Sequence, residues 1–361
     1  MAYPVLTGSV LVEANGAALN NAGLAEGARV ENRVVVKQIR LGRLRFPYVS
    51  GQAWRRWWRE VLYADFGWTP SEVIRQAKSA YTKGDPIAHE EDDLFGYMAA
   101  RKRRRGRRGA EESEETAEGA AGTNRRISPL KNSLLISALP NVITSDFGHF
   151  SRNLPPDADI IPFEAEHYTT YLQGAFTISL SDVGRFVVGE MADLSDEIVH
   201  AHRDRLEQDP NSDRTYWLPK AERIKRVQDV IKALGRLRGG AHLARNLSDV
   251  TPMVVLVGFL DGGNAPFQRL FEPDENNERV RLNLKRLKSV LLDYKDRLLP
   301  REGKTLFFGY RPTVLANEEE VLQTFQGESP FKECIEIAGT PQQALEKAAA
   351  MVSAIFEKHV P

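Results

Sequence analysis

The sequence predicts an α+β fold: an antiparallel sheet with two principal helices on one face and additions hung from its loops. Three observations carry it. Residues 5–14 and 252–260 are Val- and Leu-rich runs of strand length. Residues 52–62 and 221–237 place apolar side chains at spacings of three and four, the period of an amphipathic helix. Between them, strand and helix patterns do not alternate one for one as a doubly wound parallel sheet requires.

The first strand, residues 5–14, ends at Asn15-Gly16, a turn signal. Residues 17–28 are small, polar and glycine-dotted and read as a loop. Residues 34–44 return to alternation, with Lys37, Arg40 and Arg43 among apolar neighbours. Residues 101–123 differ in kind: RKRRRGRR has seven basic residues in eight, and five acids follow in EESEETAEGAAG. Such blocks bury too little apolar surface to order themselves, so a flexible insertion is expected. It either contacts nucleic acid or is a solvated loop partly neutralised by its own acids.

Residues 127–143 are strand-like but broken by Pro129 and Pro140. Residues 144–172, where prolines and glycines alternate with aromatics, read as a projecting arm. Strands are expected at 174–180 and 184–188, and residues 192–216 are polar and poorly periodic. The second helix, residues 221–237, carries Ile224, Val227, Ile231 and Leu234 on one face and runs into the loop GRLRGGAHLARN. Helical patterns recur at 281–299 and 341–359. No internal repeat of solenoid length is present.

The chain has 361 residues, the length of two domains or of one with large insertions. Lys and Arg number 49, as do Asp and Glu, so the formal net charge is zero. Any nucleic-acid site must therefore be a local basic patch. The single cysteine, Cys334, excludes an intrachain disulfide framework and a cysteine zinc site. The N-terminus lacks the basic start and apolar run of a signal peptide, and the apolar run at 253–260 is too short to span a bilayer. A soluble, cytoplasmic protein without a membrane partner is expected.

The segment VSGQAWRRWWREVL is the most informative. Ser50 is placed as an N-cap. Trp54, Trp57, Trp58, Val61 and Leu62 form one apolar stripe, with Arg55, Arg56 and Arg59 off it. The tryptophans are assigned to the core. The arginines, beside the free amides of a helix N-terminus, could meet phosphate; by periodicity alone a solvated face is the better reading.

The run VSGQAWRRWWREV resembles the first helix of CRISPR-associated backbone subunits, hand-shaped RAMP proteins built on an RRM-like (ferredoxin-like) fold. LFGYM (94–98), ISPLKNSLLIS (127–137), DFGHFSRN (146–153) and PFEAEHYTTYLQGAFTISL (162–180) resemble the type I-B, DevR "autoregulator" branch. The resemblance spans most of residues 1–310. It implies an RRM-like palm over 1–310, fingers over 62–126, a thumb hairpin over 145–172, and a helical tail, 311–361, packed on the palm. It also implies a non-catalytic subunit whose copies polymerise along a CRISPR guide RNA. Its partners would be that RNA, target DNA through the guide, further copies of itself, and the small-end cap, large and guide-processing subunits of a Cascade complex.

Carried over by position, the resemblance assigns backbone contacts to Ser50, Gln52, Arg55 and Arg59, and Arg56 joins them from its place on the helix. Asn20 matches a loop beside the RNA. The GRLRGG loop would bring Arg236, Arg238 and the backbone of Gly239 and Gly240 toward phosphate, or is simply a helix cap. Phe147, Phe150 and Phe163 would wedge against a flipped base, or pack within their own hairpin.

Enzyme readings are weaker. Related type III subunits cut RNA with an aspartate in the loop after the first strand; here residues 13–30 offer Glu13 and Glu26 but no aspartate. His200 and His202 lack a third metal ligand. Glu164, Glu166 and His167 read as a solvated arm, and Asp92 with Asp93 as a chance pair. No P-loop, dinucleotide fingerprint or nucleophile elbow is present, and no cofactor or metal is expected. The alternative is a RAMP-type endoribonuclease that processes guide RNA or cleaves target RNA. The third reading is a transcriptional autoregulator, which no helix-turn-helix pattern supports.

Overall fold

The computed structural model describes residues 3–24, 32–76, 79–100, 123–150, 152–155, 159–189, 192–301 and 303–360. Residues 101–122 of the charged insertion, and Glu26, lie outside the described residues. Eight strands concern the site: β1 (Pro4–Ala17), β2 (Leu130–Asn132), β3 (Leu135–Ser137), β4 (Ile143–Phe150), β5 (Ile161–Ser179), β6 (Pro252–Asp261), β7 (Leu306–Tyr310) and β8 (Ile335–Gly339). Three helices lie against them: α1 (Gly51–Phe66), α2 (Lys220–Leu234) and α3 (Pro341–His359).

The fold is mixed α+β around one large, mainly antiparallel sheet, in the order β8-β7-β6-β1-β5-β3 and then Leu44–Val49 and Gln38–Leu41. β1 is central, antiparallel to β5 on one side and to β6 on the other. In chain order β1, α1, β2 with β3, β5, α2 and β6 follow one another, and the strands stand as β6-β1-β5-β3.

β1 is buried on both faces. Leu6, Val10 and Val12 point into the core under the helices, whereas Val5 and Leu11 join a second core with Phe267, Phe271, Leu287, Phe308 and Phe325. The two principal helices cover one face, and the additional elements cover the other. A strand reading as a near-continuous apolar run needs a layer on each side. Residues 311–361 are not purely helical: β8 pairs in parallel with β7 and extends the sheet, while α3 packs on α2.

The tryptophans of α1 fix its roll. Trp54 stacks on Trp58 at 5.6 Å, and Trp58 meets the edge of Phe176 at 5.7 Å. The indole N–H groups of this stacked pair both find acceptors, Trp54 donating to Ser133 O and Trp58 to Val230 O, both at 2.8 Å. Burying one large apolar side chain is worth roughly 1.5–3 kcal/mol. Five on one stripe therefore set the helix orientation before any arginine contact does.

Several boundaries differ from expectation. The 17–28 region holds a strand, Asn21–Leu24, paired with Arg33–Val36. Residues 34–44 divide into separate strands, and Leu44–Val49 leads straight into α1. The 281–299 pattern is a helix only over Leu284–Tyr294. The 62–126 interval does not stand alone: residues 62–66 finish α1, and Ile87 shares a small apolar core with Phe186, Val188, Leu194, Val199, Leu206 and Leu218.

This second unit is tied to the sheet domain by buried charge. Asp93, fully buried in the short helix Glu90–Leu94, accepts from Arg126 and, at 2.8 Å, from Arg226 of α2. Gly184 N donates to the same carboxylate at 3.0 Å. Asp92 and Asp93 are thus structural, Asp92 being held by Ser71, Thr82 and the amide of Asp85. Removing one member of a buried ion cluster leaves uncompensated charge. Asp93→Asn is expected to lower stability by about 3–5 kcal/mol, read as a lower urea midpoint; an unchanged midpoint would show that the cluster does not hold the two units together.

Candidate nucleic-acid interface

Three segments that are far apart in the chain meet at the N-terminus of α1. Ser50 is the N-cap, its Oγ accepting from Ala53 N at 3.3 Å. Ser50 N in turn donates to Asn20 Oδ1 at 2.9 Å, and Asn20 O accepts from Lys37 N at 3.0 Å. Asn20 thus docks the turn after β1 onto the helix cap. The third segment is the glycine loop after α2, whose Ala241 N donates to Leu19 O at 3.1 Å.

The two glycines allow that close approach. A Cβ on Gly239 would stand 2.2 Å from Trp57, and one on Gly240 2.6 Å from Leu19. Their φ values, 150° and 127°, are also ones that side-chain-bearing residues rarely adopt. Beyond them Asn21 Nδ2 meets His242 Nε2 at 2.7 Å, and Asn246 Nδ2 donates to Gly16 O at 2.8 Å. Burial, and secondarily Arg245, push the His242 imidazole below its usual range, which favours the neutral ring in this contact. No local pattern marks Asn21, His242 or Asn246, because their pairing spans more than two hundred residues.

The first-turn amides of a helix have no intrahelical acceptor, and the cap takes up only that of Ala53. With exposed Gln52 and Arg56 beside them, they form an edge able to hold an anion. Arg56 is 75% exposed and, among the described residues, pairs only with Glu60, at 2.8 Å. A surface i,i+4 pair is weak enough to open for a phosphate.

The other arginines are placed differently from the expectation of outward display. Arg55 turns inward and donates to Leu130 O, Asn132 Oδ1, Phe95 O and Ser128 Oγ at 2.8–3.0 Å. Its guanidinium and that of Arg59 both lie over the Phe95 ring, at 5.0 and 5.2 Å. Burial, and secondarily the repulsion of Arg59, hold the Arg55 pKa down to about 10. Arg59 also faces Glu91 at 3.6 Å. Arg238 is bidentate to Asp65 at 2.7 and 3.0 Å, and Arg236 lies over Phe66. Asp65 stands fifteen residues along α1 from Ser50, roughly 20 Å by helix rise. The glycines therefore reach the interface, while Arg236 and Arg238 gather toward the other end of the helix.

The 144–172 arm is a β-hairpin, β4 pairing with β5 in register from Ile143↔Tyr168 to Phe150↔Ile161. Alternation puts Phe150 and Phe163 on one face and Phe147 on the other, so the three do not form one wedge. Phe163 lies across Gly148, where a Cβ would be 2.4 Å from its ring, and Arg245 covers it at 5.9 Å. Phe147 and Phe150 are 65% and 53% exposed.

The candidates for chemistry are engaged elsewhere. His202 pairs with Asp85 at 2.8 Å. Buried Glu166 accepts from Arg33 at 3.2 Å and from Val36 N at 3.0 Å, and Glu164 faces the same Arg33 at 3.6 Å. Glu13 lies within β1 rather than in a loop. Among the described residues, no group of three or more His, Cys, Asp or Glu side chains is placed to hold a metal ion.

Two measurements check these assignments. Arg55→Ala strands Leu130 O and Phe95 O, so a stability loss on the order of 3 kcal/mol is expected in urea unfolding, and Arg55→Lys, lacking the planar fork, recovers little of it. Arg238 holds the Asp65 carboxyl below its ordinary value. A carboxyl depressed on folding adds stability above its unfolded pKa, and this is lost as pH falls through the folded one. Arg238→Ala should raise the Asp65 titration midpoint in a carboxylate NMR experiment; an unmoved midpoint would contradict the pair.

The sequence matches the family described as "CRISPR-associated negative auto-regulator DevR/Csa2" over residues 8–277. No curated protein matches it. Among solved structures, a chain of a "CRISPR RNA-guided surveillance complex, pre-nicking" aligns with a TM-score of 0.51 at 10% identity, covering 98% of this chain and 100% of that one. A chain of a "CRISPR RNA-guided surveillance complex" aligns with a TM-score of 0.46 at 12% identity, with the same coverage. The first of these likenesses is one of fold. With three quarters of its length matched, the chain belongs to the DevR/Csa2 family of CRISPR-associated proteins.

Proposed function

We propose that this chain is a non-catalytic backbone subunit of a type I, I-B-like CRISPR surveillance complex that grips the phosphate backbone of a guide RNA. The observation that carries this reading is the convergence at the N-terminus of α1. The Asn20 turn, the Ser50 cap and the Gly239–Gly240 loop meet there, and each was singled out separately along the chain. Exposed backbone amides at a helix start, with Gln52 and Arg56 beside them, read phosphate and ignore base identity.

The strand order β6-β1-β5-β3, with α1 and α2 in the two crossovers, supports an RRM-like palm. The β4–β5 hairpin is the thumb, with Phe150 beside Phe163 as the aromatic face against a displaced base and Phe147 on the other side. Copies stacked along the guide would leave the intervening bases free to pair with target DNA, so sequence is read by pairing while the protein reads backbone. Other Cascade subunits, the small-end cap, the large subunit and the guide-processing subunit, complete the partner set.

Co-expression with its genomic neighbours and a CRISPR array, followed by tag purification and a denaturing gel, tests the reading. A discrete RNA of uniform length is expected, lost in Gln52→Glu/Arg56→Glu with the fold intact by circular dichroism. Both substituted side chains are exposed, so loss of RNA reports on binding rather than on unfolding. Replacing Arg56 alone with Ala should flatten the log–log salt dependence by about 0.7. RNA-free protein, or a ladder of cleavage products, would overturn the proposal, the ladder in favour of a RAMP-type endoribonuclease.

A further inference from the structure

A cleft of about 450 Å3 opens between the sheet domain and the second unit, with Ser128, whose Oγ accepts from Arg55 of α1, in its lining. Arg125, Lys131 and Arg185 stand around it, with Arg126 in its wall. β2 sets the direction of Lys131. Leu130 is buried in the core beneath α1, so strand alternation turns its neighbour Lys131 to the opposite side.

The charges of this cleft are unevenly committed. Among the described residues, the side chains of Arg125 and Lys131 have no hydrogen-bond or ion-pair partner. Arg185, half-buried, lies over the Trp217 ring at 5.3 Å. The two acids are occupied. Asp182 accepts from Tyr3 Oη at 2.7 Å and Ser179 Oγ at 2.6 Å, and Asp193 accepts from Val187 N at 3.0 Å and faces Arg126 at 3.5 Å. In a chain with no net charge, the lining sets four cations, Arg125, Arg126, Lys131 and Arg185, against two carboxylates, Asp182 and Asp193, and this excess of positive charge makes a local positive field. Ile127, 70% exposed, adds an apolar ledge beside them.

We propose that this cleft is a second nucleic-acid site, which takes the phosphates of a single strand on Arg125, Lys131 and Arg185. Its volume admits one or two nucleotides and no duplex. A base or sugar would rest on Ile127 or on the Arg185 plane, as sequence-tolerant single-strand sites do. The proposal does not rest on the guide-binding reading, since Arg125, Lys131 and Arg185 are not among the residues of the α1 site.

The test uses the full chain purified with its co-purifying nucleic acid and a fluorescein-labelled dT20 probe followed by anisotropy. Arg125→Ala/Lys131→Ala is expected to weaken dT20 binding about 10-fold at 100 mM salt and to lower the log–log salt slope by about 1.4, two phosphate contacts at ~0.7 each. Co-purifying RNA should stay at its wild-type amount, because neither residue touches the α1 N-terminus. Unchanged dT20 affinity overturns the proposal. So does loss of the co-purified RNA, which would make the cleft part of the first site. Displacement by a poly-glutamate 20-mer but not by unlabelled dT20 would also overturn it, in favour of an acidic protein segment.

Discussion

Asp93 has no contact with water, and three separate stretches of chain depend on it. Arg126 approaches from the strand after the charged insertion, Arg226 from α2, and the Gly184 amide from the turn after β5. A carboxylate in so dry a place costs several kcal/mol in lost hydration. It is tolerated because two guanidinium groups and a backbone donor surround it. The geometry admits one docking of the small unit on the sheet domain, since any slip would leave one of these charges bare. The cluster therefore fixes where the second unit lies, and so the shape of the cleft beside Arg125 and Arg185.

Helix α1 is constrained in the same way from its other side. Its indole stripe is pinned to the core by stacking and by two N–H bonds to carbonyls on different elements. With the roll set, Arg55 has nowhere to go but toward the 128–132 segment, where its fork meets carbonyl and hydroxyl acceptors. An arginine so placed, with the four N–H bonds of its two terminal nitrogens taken up and only Nε–H left over, acts as a scaffold for the site. The ligand-facing role passes to groups with slack: the first-turn amides, Gln52, and Arg56, which pairs with an exposed neighbour on its own helix.

The two glycines after α2 show how shape and conformation combine. Trp57 fills the space a Gly239 side chain would need, and Leu19 the space at Gly240. The glycines let this loop and the β1 turn meet through backbone, Ala241 N to Leu19 O, as well as through the Asn21 and Asn246 side chains. This contact brings residues more than two hundred positions apart to within hydrogen-bond distance. A composition scan sees only a helix ending in glycines.

What the sequence by itself determined is whatever depends on periodicity and local chemistry. The α1 stripe, the Ser50 cap, the run of α3 and the apolar strands at β1 and β6 are written within one or two turns of chain. The order of family-like segments also carried the relationship to CRISPR-associated proteins, which the match over residues 8–277 bears out. Only the tertiary structure decided which charges are spent and which are free. Arg55, Arg56 and Arg59 look alike in the sequence, yet one is buried among carbonyls, one shares an aromatic ring and a glutamate, and one faces water. Asp93 looked like a chance acid, and Arg238 like a phosphate ligand, until distant partners claimed them. The reason is physical. Secondary structure is set by neighbours in the chain, whereas the state of a charge is set by whatever the fold brings to within a few ångströms of it.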